Sequence, residues 1–166
     1  MPLVINGIYE QVSHSLLQQI AGQAWDQQER DFMGNINLLA VFAAAVSAFM
    51  VGGLWYGPIF GKAWMKEHGF TEENLAKGNA VKIYGLTFAF SLLSAVMLGH
   101  LLARTGVSEA HIIMMMSVGI ALGFIMPAIG SNYLFSHKSG RLFFIDAGYW
   151  ITFYAVMGGV FILLGA

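Results

Sequence analysis

Between Lys82 and Arg104 runs Ile83-Tyr-Gly-Leu-Thr-Phe-Ala-Phe-Ser-Leu-Leu-Ser-Ala-Val-Met-Leu-Gly-His-Leu-Leu-Ala103, without one formal charge. As a helix rising 1.5 Å per residue, a stretch of this length covers the roughly 30 Å hydrocarbon core of a bilayer. A charged side chain at the bilayer centre costs about 2.5–3.5 kcal/mol, so charge-free gaps of this length locate membrane spans. Three more such gaps exist. One lies between Asp31 and Lys62, with Leu38 to Trp55 as its apolar centre; another runs from His111 to about Phe135, and the last from Ala147 to Ala166. The expected fold is all-α: a polytopic membrane protein with four transmembrane helices, spans about 37–57, 83–103, 111–135 and 147–166, forming a four-helix bundle over 36–166.

Composition agrees. Of 166 residues, 57% are hydrophobic and 10% charged, against about 45–50% and about 25% in an ordinary soluble domain. So few charges cannot cover a water-facing surface, and lipid must take the place of water around the spans. The formal net charge of −1 provides no basic field for nucleic acid. With no cysteine, disulfides, thiolate metal sites and thiol catalysis are excluded.

Lys and Arg are retained in cytoplasmic loops, which orients the bundle. The loop after the first span carries Lys62, Lys66, Lys77 and Lys82, and the loop after the third carries Lys138 and Arg141; the other side has Arg30 and Arg104. Both termini are therefore expected outside, in a multi-pass protein of the cell inner (plasma) membrane. No basic stretch opens the chain, so no cleavable signal is expected. In the N-terminal tail, residues 1–35, Ile5, Ile8, Val12, Leu16 and Ile20 recur at helical spacing among Glu10, Gln11, Gln18 and Gln19. That pattern predicts an amphipathic helix resting on the outer leaflet or on the bundle, before Gly34-Asn35 turns the chain inward. Alternatively, residues 1–31 dock a partner subunit.

Pro58-Ile-Phe-Gly61 and Pro127-Ala-Ile-Gly130 interrupt the first and third spans. Proline removes a helix hydrogen bond, so both spans are expected to kink. Paired interruptions in the two halves of a chain point to a transporter site; the alternative is that Pro58 ends a span and Pro127 makes a packing kink. Small residues recur at four-residue spacing at Gly53, Gly57 and Gly61, at Gly119 and Gly123, and at Ala155 and Gly159. Such stripes let helices pack closely within the bundle or between copies of it.

Topology places a set of ring and polar side chains at one depth. Trp55 and Tyr56 end span one, Tyr84 begins span two, Asn132 and Tyr133 lie near the end of span three, and Asp146, Tyr149 and Trp150 begin span four. An aromatic belt at the lipid boundary accounts for many of these. Asp146 suits the N-cap of the fourth helix, with Arg141 or Lys138 to neutralise it, and Asn132 suits glue between helices. The functional alternative joins Trp55, Tyr56, Asn132, Asp146, Tyr149 and Trp150 in a cytoplasm-facing pocket for a small, partly apolar, cationic ligand.

The stretches Asn37-Leu38-Leu39-Ala40, Gly53-Leu54-Trp55-Tyr56-Gly57-Pro58, Phe60-Gly61-Lys62-Ala63-Trp64-Met65, Gly69-Phe70-Thr71-Glu72-Glu73, Asn132-Tyr133-Leu134-Phe135 and Ile145-Asp146-Ala147-Gly148-Tyr149 carry a resemblance. From about Asn37 to the C-terminus the chain resembles the membrane family called domain of unknown function 1761. Ser136-His137-Lys138 departs from the acidic-then-basic turn of that pattern. The resemblance implies a small four-span bacterial-type membrane protein and brings no activity or catalytic residues.

No serine sits in a convincing His and Asp pattern, and no helix carries a two-His metal signature. His100 and His111 read as boundary histidines instead of haem ligands, and Met114, Met115 and Met116, about 100° apart on a helix, cannot face one ion. No cofactor or metal is expected. The residues favour a homo-oligomeric channel or carrier for a small solute, with the lipid bilayer and further copies of the chain as partners. A non-catalytic accessory or scaffold subunit is the alternative, and a membrane enzyme acting on an apolar substrate the third.

Overall fold

The structure is a computed structural model that describes residues 14–26, 36–76 and 78–166. The chain forms two units, Met1–Asn35 and Ile36–Ala166. In the first, helix α1 covers residues 14–26, and its residues, Leu16, Leu17, Ile20 and Trp25 among them, are exposed. Leu16 and Ile20, four residues apart, share one face. Ile5, Ile8, Val12 and the Gly34-Asn35 turn lie outside the described residues.

The second unit contains four helices long and apolar enough to cross a membrane, at Leu38–Ile59, Ala80–Thr105, Ala110–Phe135 and Gly140–Leu164. No strand occurs among the described residues. Two of the spans change pitch. The first comprises α2 (Leu38–Leu54) and a wider π turn at Trp55–Ile59; the third comprises α6 (Ala110–Ile120), a π turn at Ala121–Ile125 and α7 (Met126–Phe135). Pro58 lies inside the first π turn and Pro127 two residues after the end of the second. A proline ring pushes against the carbonyl of the preceding turn, and widening that turn relieves the clash while keeping the backbone hydrogen-bonded. Beyond the first π turn, α3 (Gly61–His68) and α4 (Glu72–Ala76) lead to α5 (Ala80–Thr105), and α8 (Gly140–Leu164) closes the chain.

Local chemistry sets the ends. Asn37 Oδ1 accepts from the Ala40 amide at 3.1 Å and Asn79 Oδ1 from the Lys82 amide at 3.0 Å, capping α2 and α5. Asn37 Nδ2 also donates to the Leu164 carbonyl at 2.8 Å, which ties the start of the first span to the end of the fourth. Gly106, at φ 63°, ends α5 in the left-handed conformation that glycine adopts without strain. Ser139 caps α8, its Oγ accepting from the Leu142 amide at 3.1 Å.

That last cap moves the fourth span. Its helix begins at Gly140, about two turns before Ala147, because the hydroxyl of Ser139 satisfies a first-turn amide and Arg141 reaches sideways to Glu67, 3.8 Å away on α3. Asp146 therefore lies inside the helix and does not cap it.

Packing centres on α2 and α8. α2 lies against both α5 and α8, and α8 also packs on α6, α7 and α3. α2 presents Ala40, Ala44, Ala45 and Ala48, all fully buried, so its backbone approaches its neighbours closely. α8 answers with Phe153, Met157 and Phe161. Outward, Phe90, Met97, Met115, Phe124, Leu134 and Phe144 are exposed. Large apolar side chains facing out around helices of this length have lipid as their solvent.

Candidate functional site

Asp146 is the only acidic residue within the four spans, and it is 6% exposed. An unpaired carboxylate at such a place costs several kcal/mol, so its partners decide whether it is tolerated. Two tyrosines supply them. Tyr56 Oη donates to Oδ1 at 2.7 Å, and Tyr133 Oη donates to Oδ2. Tyr56 comes from the π turn of the first span and Tyr133 from α7, so the carboxylate of α8 joins both interrupted spans. Hydrogen bonds to a carboxylate are about twice as strong as neutral ones. Neither Arg141, which faces Glu67, nor Lys138 pairs with Asp146 among the described residues. Arg141 and Lys138 remain exposed, and the phenols instead satisfy the carboxylate by hydrogen bonding, without cancelling its charge.

The neighbouring turn strengthens the same seam. Trp55 Nε1 donates to the Ile145 carbonyl at 3.0 Å, one residue before Asp146. An added Cβ at Gly148 would lie 3.0 Å from Trp55 Cζ2, and one at Gly52 would lie 3.3 Å from Tyr149 Oη. The rings then touch in sequence: Tyr56 lies 4.9 Å from Tyr149, Tyr149 5.0 Å from Trp150, and Trp150 5.2 Å from Phe153. Toward the loops, Tyr56 meets Trp64 at 5.6 Å, and Trp64 meets His68 in a tilted contact at 4.2 Å.

Of the six residues expected to line a pocket, Trp55, Tyr56, Asp146, Tyr149 and Trp150 are brought together. Asn132 is not. It is exposed, and its hydrogen bond is with Ser136, at 3.5 Å. Consecutive helical residues point about 100° apart, so Asn132 and Tyr133 cannot face Asp146 together. The phenol takes the place because its ring fills apolar space and its hydroxyl satisfies the acid. Polarity alone selects the wrong neighbour. Trp64, Phe60, Glu67 and Ser139 also join the assembly unanticipated; the four-residue spacing of Trp64 and His68 was the visible signal for one face of α3.

The glycine stripes divide unexpectedly. Added Cβ atoms at Gly53, Gly57, Gly119, Gly123 and Gly159 would meet nothing within 4 Å. Close packing falls instead on Gly99, where a Cβ would sit 3.0 Å from Phe161 Cζ, on Gly148, and on Gly158, where one would sit 2.6 Å from Ser117 Oγ. Gly61 is constrained by its own turn, where an added Cβ would lie 2.5 Å from the Tyr56 carbonyl oxygen.

Fold and seam together define a polytopic helical membrane protein in which one intramembrane carboxylate is clasped by two tyrosines from interrupted spans. The chain belongs to the family described as Protein of unknown function (DUF1761), whose model matches residues 39–162. No curated protein and no solved structure matches it.

Proposed function

We propose that this protein is a channel or carrier for a small cationic organic solute, working as a homo-oligomer in the cell inner membrane with its Asp146 seam toward the cytoplasm. The observation that carries this reading is the clasp. A carboxylate inside a membrane span is expensive and marks a functional site by default, and here its two donors come from the two spans broken by π turns. Interrupted spans in matching positions of two halves supply the movable pieces of membrane carriers. Released from the tyrosines, the acid would face rings suited to an ammonium group. The bare glycines at positions 53, 57, 119 and 123 leave smooth faces for contact between copies.

A second reading, an accessory or scaffold subunit, draws on the closure of the same clasp: every buried side-chain polar atom among the described residues has a partner without any ligand.

One measurement separates the two. Thermal unfolding of the detergent-solubilised protein is followed with tetramethyl- to tetrabutylammonium ions. Ligand at 100 times Kd adds about 2.7 kcal/mol of stability, so the carrier reading expects a raised Tm for at least one ion. Asp146→Asn should abolish that shift, and Tyr133→Phe, which leaves the acid in place, should retain it. No shift with any ion, or an equal shift in Asp146→Asn, overturns the carrier and leaves the scaffold.

A further inference from the structure

Beside the clasp, with Tyr133 in its lining, a cleft of about 230 Å³ opens between the end of α7 and the start of α8. Gly130, Tyr133 and Leu134 line it from α7 and Gly140 and Phe143 from α8, with Lys138 and Ser139 from the connection between them. The cleft lies where the third span ends and the fourth begins, the depth at which lipid headgroups meet acyl chains. Its walls are mostly apolar, and Leu134 is 79% exposed beside it. Lys138, the single cation of the lining, has no carboxylate partner among the described residues, and Glu67 is engaged by Arg141 and by the hydroxyl of Ser139. A volume of 230 Å³ falls below the roughly 300–1,000 Å³ of pockets that enclose whole ligands. It suits part of a molecule whose remainder lies elsewhere.

We propose that the cleft binds one anionic phospholipid of the surrounding leaflet, its phosphate on Lys138 and its first methylenes against Leu134 and Phe143. A lysine near an anionic membrane surface strengthens association about fivefold, while apolar walls at the boundary hold the chain that a free phosphate lacks. The site stands independently of any transported solute. It also places a lipid against the ring whose hydroxyl holds Asp146.

The test is native mass spectrometry of the full chain released from nanodiscs of equimolar phosphatidylglycerol and phosphatidylcholine. Phosphatidylglycerol should be retained preferentially, and Lys138→Gln should reduce that retention about fivefold. Gly140→Leu, which adds a bulky side chain to a residue lining the cleft where a Cβ would meet nothing within 4 Å, should reduce it similarly. Lys66→Gln, on the exposed side of α3, should leave it unchanged. Equal retention of both lipids, undiminished retention in Lys138→Gln or Gly140→Leu, or an equal loss in Lys66→Gln overturns the site.

Discussion

Gly148 leaves room for the indole of Trp55, and that room holds the Trp55 to Ile145 hydrogen bond in line with the Tyr56 to Asp146 bond beside it. A methyl added 3.0 Å from Trp55 Cζ2 must displace the ring, and overpacking of this kind costs about 1–3 kcal/mol. Gly148→Ala is therefore expected to lower the Tm of the detergent-solubilised protein. Gly85→Ala provides the control: its Cβ would meet nothing within 4 Å, and alanine exceeds glycine in helix propensity by about 0.8–1 kcal/mol. That variant should be unchanged or slightly more stable. Equal destabilisation of both would remove the close approach at Gly148 from the account. At this scale the sequence names the residue types but not their neighbours. Gly53 and Gly148 look alike in a chain of 20 glycines, and only contact separates an open lipid-facing position from one under a ring.

Elements are joined at the loop side by Ser139, which caps α8 and donates to Glu67 of α3. Loss of a serine N-cap costs about 1 kcal/mol, so Ser139→Ala should lower thermal stability by about that amount, with a further loss from the released Glu67. Glu67→Gln alone should cost less, because it keeps a hydrogen-bond acceptor. Residues in contact are not additive: the double variant is expected to lose less than the sum of the single losses. Strict additivity in the thermal unfolding series would mean that α3 and the start of α8 are not coupled. The spans themselves were legible from charge gaps. The start of the fourth was not, because Asp146 reads as a boundary charge and helix cap until Tyr56 and Tyr133 are found on it, and a carboxylate satisfied from the facing helices does not mark a helix end.

For the whole molecule, the antiparallel course of four spans puts the α2–α5 and α7–α8 connections on one side, and the contact of Glu67 with Arg141 joins those two connections. The proposed orientation places this side in the cytoplasm, where the positive-inside effect would retain Lys62, Lys66, Lys82, Lys138 and Arg141. In intact cells a cysteine at Lys66 should therefore resist a membrane-impermeant maleimide and react once the membrane is permeabilised. A cysteine at Ser108, exposed in the connection between α5 and α6, should react without permeabilisation. The reverse pattern would invert the protein and move the Asp146 seam to the outer leaflet.

Charge spacing and apolar length were enough, without coordinates, to establish a four-span helical protein and to bring Trp55, Tyr56, Asp146, Tyr149 and Trp150 to one depth. Those features follow from the cost of placing charge in hydrocarbon, which each stretch of chain meets by itself. Tertiary structure decided the choice of Tyr133 over Asn132, the pairing of Arg141 with Glu67, and which glycines lie under rings. Each of these depends on helix rotation and on what the facing helix presents. A helix wrapped in lipid is apolar on every side, so its own sequence carries little record of which side turns inward.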